Sequence, residues 1–189
     1  SALAQRSPRG PSADYDGAMR IPLLLAALAL PLLAQDGPVM QSILPRFQAA
    51  RLNLIETAEF MPAEKYSYRL TPPQRTFGAW MEHNIQMNYG SCGMIAAERK
   101  PAPKLDNAGK EQLIAALKES FDYCEQAFKA QTDETAVKTL QVAGRPVSPV
   151  NVMVGLVVNW NEHYGNLVGY LRSNNIVPPT TARAQKGKK

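Results

Sequence analysis

The chain is short of the residues that most often announce a function. It has 2 cysteines and 2 histidines among 189 residues. Two cysteines cannot build a disulfide framework or a Cys-rich zinc site, and neither lies in a paired spacing. No phosphate-cradling glycine loop, no Ser-His-Asp arrangement and no nucleic-acid-binding motif can be read along it. The most apolar uncharged run covers 14 residues, Ile21 to Ala34, too short to span a bilayer comfortably. No stretch alternates for long at the period of a strand. What is present is a 45% apolar fraction, enough to build a core and to exclude a disordered chain.

The net charge of +5 points towards a nucleic-acid partner until it is located. Residues 1–34 hold 3 arginines against 2 aspartates, and residues 180–189 hold 4 basic side chains and no acid. Residues 35–179 balance 14 basic against 14 acidic side chains, so the domain itself has no preference for a polyanion. The end, TTARAQKGKK, reads as a basic, solvated, disordered tail over 180–189. At the other end, Met19-Arg20 precedes IPLLLAALALPLLA. A basic residue, an apolar run and a small residue in that order fit a secretory signal peptide over 19–34, cleaved after Ala34. The junction carries no cysteine for a lipid, so no stable membrane anchor is expected after cleavage. Residues 1–18, rich in Pro, Ser and Gly, read as a disordered upstream extension. The competing reading of the apolar run is a short hydrophobic helix packed on the domain. On the first reading the protein is exported, to a periplasmic or extracellular space.

Residues 36–179 read as four helices. The first is expected from about Val39 to Met61, where Phe47, Leu54, Ile55, Ala58 and Met61 recur at threes and fours. Pro45 is expected to kink it, and Pro62 to end it. The second is expected from the start signal Thr71-Pro72-Pro73-Gln74 to about Ala97. Its buried face is Phe77, Trp80, Met81, Asn84, Ile85, Asn88 and Cys92. A Pro-broken stretch, KPAPKLDN, leads to a third helix from about Ala108 to Gln131, with Leu113, Ile114, Leu117, Phe121, Cys124 and Phe128 in period. Thr132 caps a short helix reaching towards Leu140, and QVAGRPV reads as a loop. Ser148-Pro149 opens the fourth helix, which runs to about Ser173. Asn174 and Asn175 suit its end, and Pro178-Pro179 forbids continuation. Its first half, VMVGLVVNW, is apolar nearly all round and is expected to be central. The fold class is all-α, a four-helix bundle.

The polar residues that break the pattern are few. His83 lies in the second helix and His163 in the fourth. Asn159 lies one turn before His163, so both project from one face about 5.4 Å apart along the axis. Facing helices of a bundle can bring His83 opposite that pair, and bundle cores build metal sites in this way. Taken alone, two histidines and an asparagine are better explained by satisfied helix side chains than by a ligand set.

The stretches NLIETAEFMPAEKYSYRLTPPQRTFGAWMEHNIQMNY and NEHYGNLVGYLRSNNIVPP resemble the DinB-like metalloenzyme superfamily, in particular its exported single-domain branch. This is the damage-inducible helical-bundle family, not the translesion polymerase of the same name. The resemblance covers about residues 38–180 in the same order and spacing. It implies a bundle in which the second and third helices run parallel, joined by a crossover. It also implies a divalent metal, zinc or nickel, held by one histidine of the second helix and two of the fourth. His83 matches the first ligand and His163 the last, while the middle position falls on Asn159. An amide oxygen is a far weaker donor to zinc or nickel than an imidazole. Three outcomes follow: a weakened site, a site rescued by water or by Glu56 or Glu59 of the first helix, or a lost site. With parallel helices Cys92 and Cys124 reach the same height, so the resemblance implies a disulfide between them. Two buried free thiols are the alternative. Some members are metal-dependent thiol transferases or isomerases, and members commonly dimerise through their helices, so a homodimer is implied. The other functional reading is a non-catalytic exported bundle that has lost the metal and binds a small molecule or a partner.

Overall fold

The computed structural model describes residues 37–187. The upstream extension and signal peptide expected over 1–34 lie outside the described residues. Helices α1 (Pro38–Phe60), α2 (Phe77–Ile95), α3 (Lys110–Lys129) and α5 (Pro149–Ser173) form the bundle. A short α4 (Asp133–Val137) and a hairpin of β1 (Leu140–Val142) and β2 (Arg145–Val147) join α3 to α5, and α6 (Pro179–Lys186) follows. No helix among the described residues is long and apolar enough to cross a membrane.

Cross-helix partners fix the helix directions. Asn88 meets Ser120, Cys92 meets Cys124, and the Ile95 carbonyl accepts from Gln131 Nε2 at 3.4 Å. Both numbers rise together, so α2 and α3 run parallel, and residues 96–109 carry the chain back as a crossover. Trp80 meets Tyr170, Asn84 meets His163 and Asn88 meets Trp160, so α5 runs against α2. Gln48 meets Glu125 while Glu59 meets Lys118, so α1 runs against α3. The ring order is therefore α1, α3, α2, α5, with α1 and α5 pointing one way and α2 and α3 the other.

The core is built around Trp160, which is fully buried. Its ring centroid lies 5.5 Å from that of Phe47 and 5.3 Å from that of Phe121, and Phe128 stacks on Phe47 at 4.8 Å. A buried indole needs a partner for its N–H. Trp160 Nε1 donates to Asn88 Oδ1 at 2.8 Å, Asn88 Nδ2 donates to Ser120 Oγ at 2.9 Å, and Ser120 Oγ donates to the Leu117 carbonyl at 2.8 Å. This relay ties α5, α2 and α3 together. One turn further along α2, Cys92 and Cys124 form a disulfide, with Cα atoms 5.1 Å apart.

Three local expectations are corrected. The second helix does not start at Thr71. Thr71 to Gln74 closes only a turn, its Gln74 N–H donating to the Thr71 carbonyl at 3.0 Å, and extended backbone at Thr76, with φ of −68° and ψ of 162°, separates that turn from the helix. The cap is Thr76, whose Oγ1 accepts from the Ala79 N–H at 3.2 Å. The next free amides, Phe77 and Gly78, donate at 2.8 Å to the carbonyls of Tyr68 and Tyr66. The expected loop QVAGRPV is a hairpin, turned by Ala143 and Gly144 at φ of 51° and 76°. Finally, the tail is helical over Pro179–Lys186: Pro179 preorganises a new first turn, and Arg183 pairs with Glu56 and Asn53 of α1. That positive charge is therefore docked on the bundle.

The first half of α5 is also less central than its composition suggests. Val154 and Val158 are 49% and 59% exposed. They line an open apolar groove with Ile43 of α1, because α5 is flanked by α1 and α2 and no other element among the described residues covers its outer side.

Candidate functional site

His83 of α2 and His163 of α5 come together near the Arg75 end of α2. Their ring centroids are 5.0 Å apart. Trp80, one turn before Asn84, packs on both, at 5.8 Å from His83 and 5.1 Å from His163. Trp80 is itself fixed. Its Nε1 donates to Tyr170 Oη at 3.2 Å, Tyr170 Oη donates to the Arg75 carbonyl at 2.6 Å, and the Arg75 guanidinium lies over the indole at 5.1 Å. His163 is 8% exposed and His83 half-buried.

Both imidazoles are held neutral at neutral pH. Burial lowers the pKa of His83, and the Arg75 charge lowers it further. Burial also lowers that of His163, followed by the neighbouring His83, with Glu162 opposing and Arg75 adding to the fall. A neutral ring is the form that ligates a metal. With metal–nitrogen bonds of about 2.0–2.1 Å and tetrahedral angles, two imidazoles on one zinc ion hold their ring centroids about 5 Å apart. The His83–His163 spacing of 5.0 Å fits that arrangement.

The third donor does not fit as well. Asn159 is on α5 one turn before His163, as its spacing requires, but it is exposed rather than packed with the Trp80–His83–His163 rings. Glu56 and Glu59, the carboxylates considered as substitutes, are committed elsewhere, to Arg183 and to Lys118 respectively. Among the described residues, no three His, Cys, Asp or Glu side chains form a group able to hold a metal ion. The described residues thus bring two imidazoles together with no third donor packed beside them. Sequence reasoning missed the roles of Asn84, Tyr170 and Arg75. Asn84 lay on the expected buried face, but periodicity marks burial and not hydrogen bonding.

No family model matches the chain, and no curated protein matches it in sequence. Solved structures do. A DinB-like protein from Bacillus subtilis superposes with a TM-score of 0.58 at 17% identity, over 72% of this chain and 93% of that one. A DinB-like protein from Bacillus cereus gives 0.62 at 14% identity, over 74% and 95%. At these identities the likeness is one of fold: the chain has the all-α DinB-like bundle, parallel α2–α3 pair included.

Proposed function

We propose that this chain is an exported DinB-like superfamily protein that binds one divalent metal ion, zinc or nickel, weakly between His83 and His163. The observation that carries the reading is the pairing of the chain's 2 histidines. They come from different helices, both held neutral, at a spacing that suits one shared ion. A zinc or nickel ion there supplies Lewis acidity, lowering the pKa of a bound water or thiol. The protein's own part is to hold the two rings against Trp80, keep them deprotonated through burial and Arg75, and leave the remaining positions open. A thiol-transfer reaction is the activity class this arrangement suits. Export is supported by the signal-like segment over 19–34 and by the Cys92–Cys124 disulfide, which persists in an oxidising space.

One observation favours a second reading. The exposure of Asn159 leaves the site without a third strong donor, as in a bundle that has lost its metal and serves as a non-catalytic binding protein. Metal analysis of the purified protein beside Asn159→His separates the two. Stoichiometric metal in the unsubstituted protein supports the first, and metal in the variant alone supports the second.

A further inference from the structure

We propose that Asn84 is a positioning residue that locks His163 in the Nδ1–H tautomer, leaving Nε2 as the bare donor nitrogen of the histidine pair. The argument starts from the backbone. Asn84 is fully buried, and one end of its side-chain amide faces the Trp80 carbonyl at 2.8 Å. A carbonyl oxygen only accepts, so that end must be the NH2 group. The opposite assignment would set two acceptors against each other at hydrogen-bond distance in a buried place, which costs more than a lost hydrogen bond. The amide orientation is thus dictated by the helix itself. Its other end, Oδ1, lies 3.0 Å from His163 Nδ1. Oδ1 also only accepts, so Nδ1 must carry the proton. A neutral imidazole has one N–H, and Nε2 is therefore left with its lone pair.

Free histidine in water prefers the opposite tautomer, so the fold works against the intrinsic preference. Ligating histidines have this same need: a hydrogen bond at one nitrogen sets the ring angle and frees the other. The tautomer stands on the hydrogen bonds alone, whereas its consequence for metal binding rests on the two-histidine reading above.

The test is a long-range proton–nitrogen correlation spectrum of the imidazoles in the metal-free, 15N-labelled protein above neutral pH. The 2 histidines are assigned with His83→Gln. The expected result is a protonated Nδ1 and a bare Nε2 at His163. In Asn84→Leu, checked for folding by circular dichroism, the Nε2–H form should take over, and zinc affinity should fall about 10- to 100-fold. A bare Nδ1 at His163 in the unsubstituted protein overturns the proposal and needs no variant to fold. An unchanged tautomer in folded Asn84→Leu overturns the assignment to Asn84. If the tautomer is found but the unsubstituted protein takes up no zinc, the positioning role stands and the metal reading fails.

Discussion

Replacing Cys92 and Cys124 together by alanine should cost the domain most of the stability that a cross-link between parallel helices can give. The two residues are 32 positions apart in sequence. Closing a loop of that length removes about 12 cal/mol/K of entropy from the unfolded chain, or about 3.7 kcal/mol at 25 °C. Both side chains are fully buried, so the lost sulfur atoms add a packing penalty of the same sign. The relay through Asn88 and Ser120 and the stacked pair Tyr89–Tyr123, 5.4 Å apart, remain to hold α2 on α3. The variant should therefore stay folded. For a domain of this size the loss corresponds to a fall in Tm of about 7–15 °C. Urea unfolding followed by circular dichroism is the assay, and the m-value should rise because the unfolded chain is no longer tethered. Intact mass before and after reduction comes first, and the bridge requires a two-dalton gain. A loss under about 1 kcal/mol, with m unchanged, would refute the loop-entropy reasoning.

Further outcomes follow from other contacts. Asp133 receives the free amides of Val39 and Met40 at 2.9 and 2.8 Å, so Asp133→Ala should lower stability by about 1–2 kcal/mol in the same urea assay. For the metal-free protein, His83 and His163 titrate below the ordinary histidine value of 6.5 when folded. The unfolded chain then takes up protons first, so stability should fall as pH drops below about 6.5, and His163→Gln should flatten that slope. No such dependence is expected above that range, and urea midpoints across the window provide the check. Truncation after Val177 removes the α6 docking of Arg183 on the partly exposed Glu56 and the buried Asn53, together with the buried Pro178 and Pro179. It should cost more than the roughly 1 kcal/mol of an exposed ion pair and raise amide exchange at the adjoining end of α1.

How far the sequence reached differed between elements for physical reasons. The fourth helix was legible to the residue, because Ser148-Pro149 and the Asn174–Asn175 pair mark its ends and Asn175 does adopt a left-handed φ of 59°. The start of α2 lies beyond the Thr71 signal because a capping pattern can close a lone turn, and Thr76, extended and accepting from the Ala79 N–H, is the cap that the helix uses. The hairpin escaped because strands of three residues cannot show alternation, and its turn lacks the usual Asn-Gly signal. At the site, helical spacing and a family resemblance brought out both histidines. The roles of Asn84 and Tyr170 depend on partners 79 and 95 residues away, a distance at which periodicity carries no information. The α6 contact with Glu56 is of the same long-range kind, and composition alone made the tail look solvated.

Zinc titration of the metal-free protein by calorimetry, repeated with His83→Gln, His163→Gln and Asn159→His, tests the central claim most directly. One ion per chain is expected in the unsubstituted protein, with binding abolished by either glutamine substitution. Asn159→His should bind at least about 10-fold more tightly, because it adds an imidazole where an amide stood. Absence of zinc binding in the unsubstituted protein, or binding that survives His83→Gln unchanged, would contradict it.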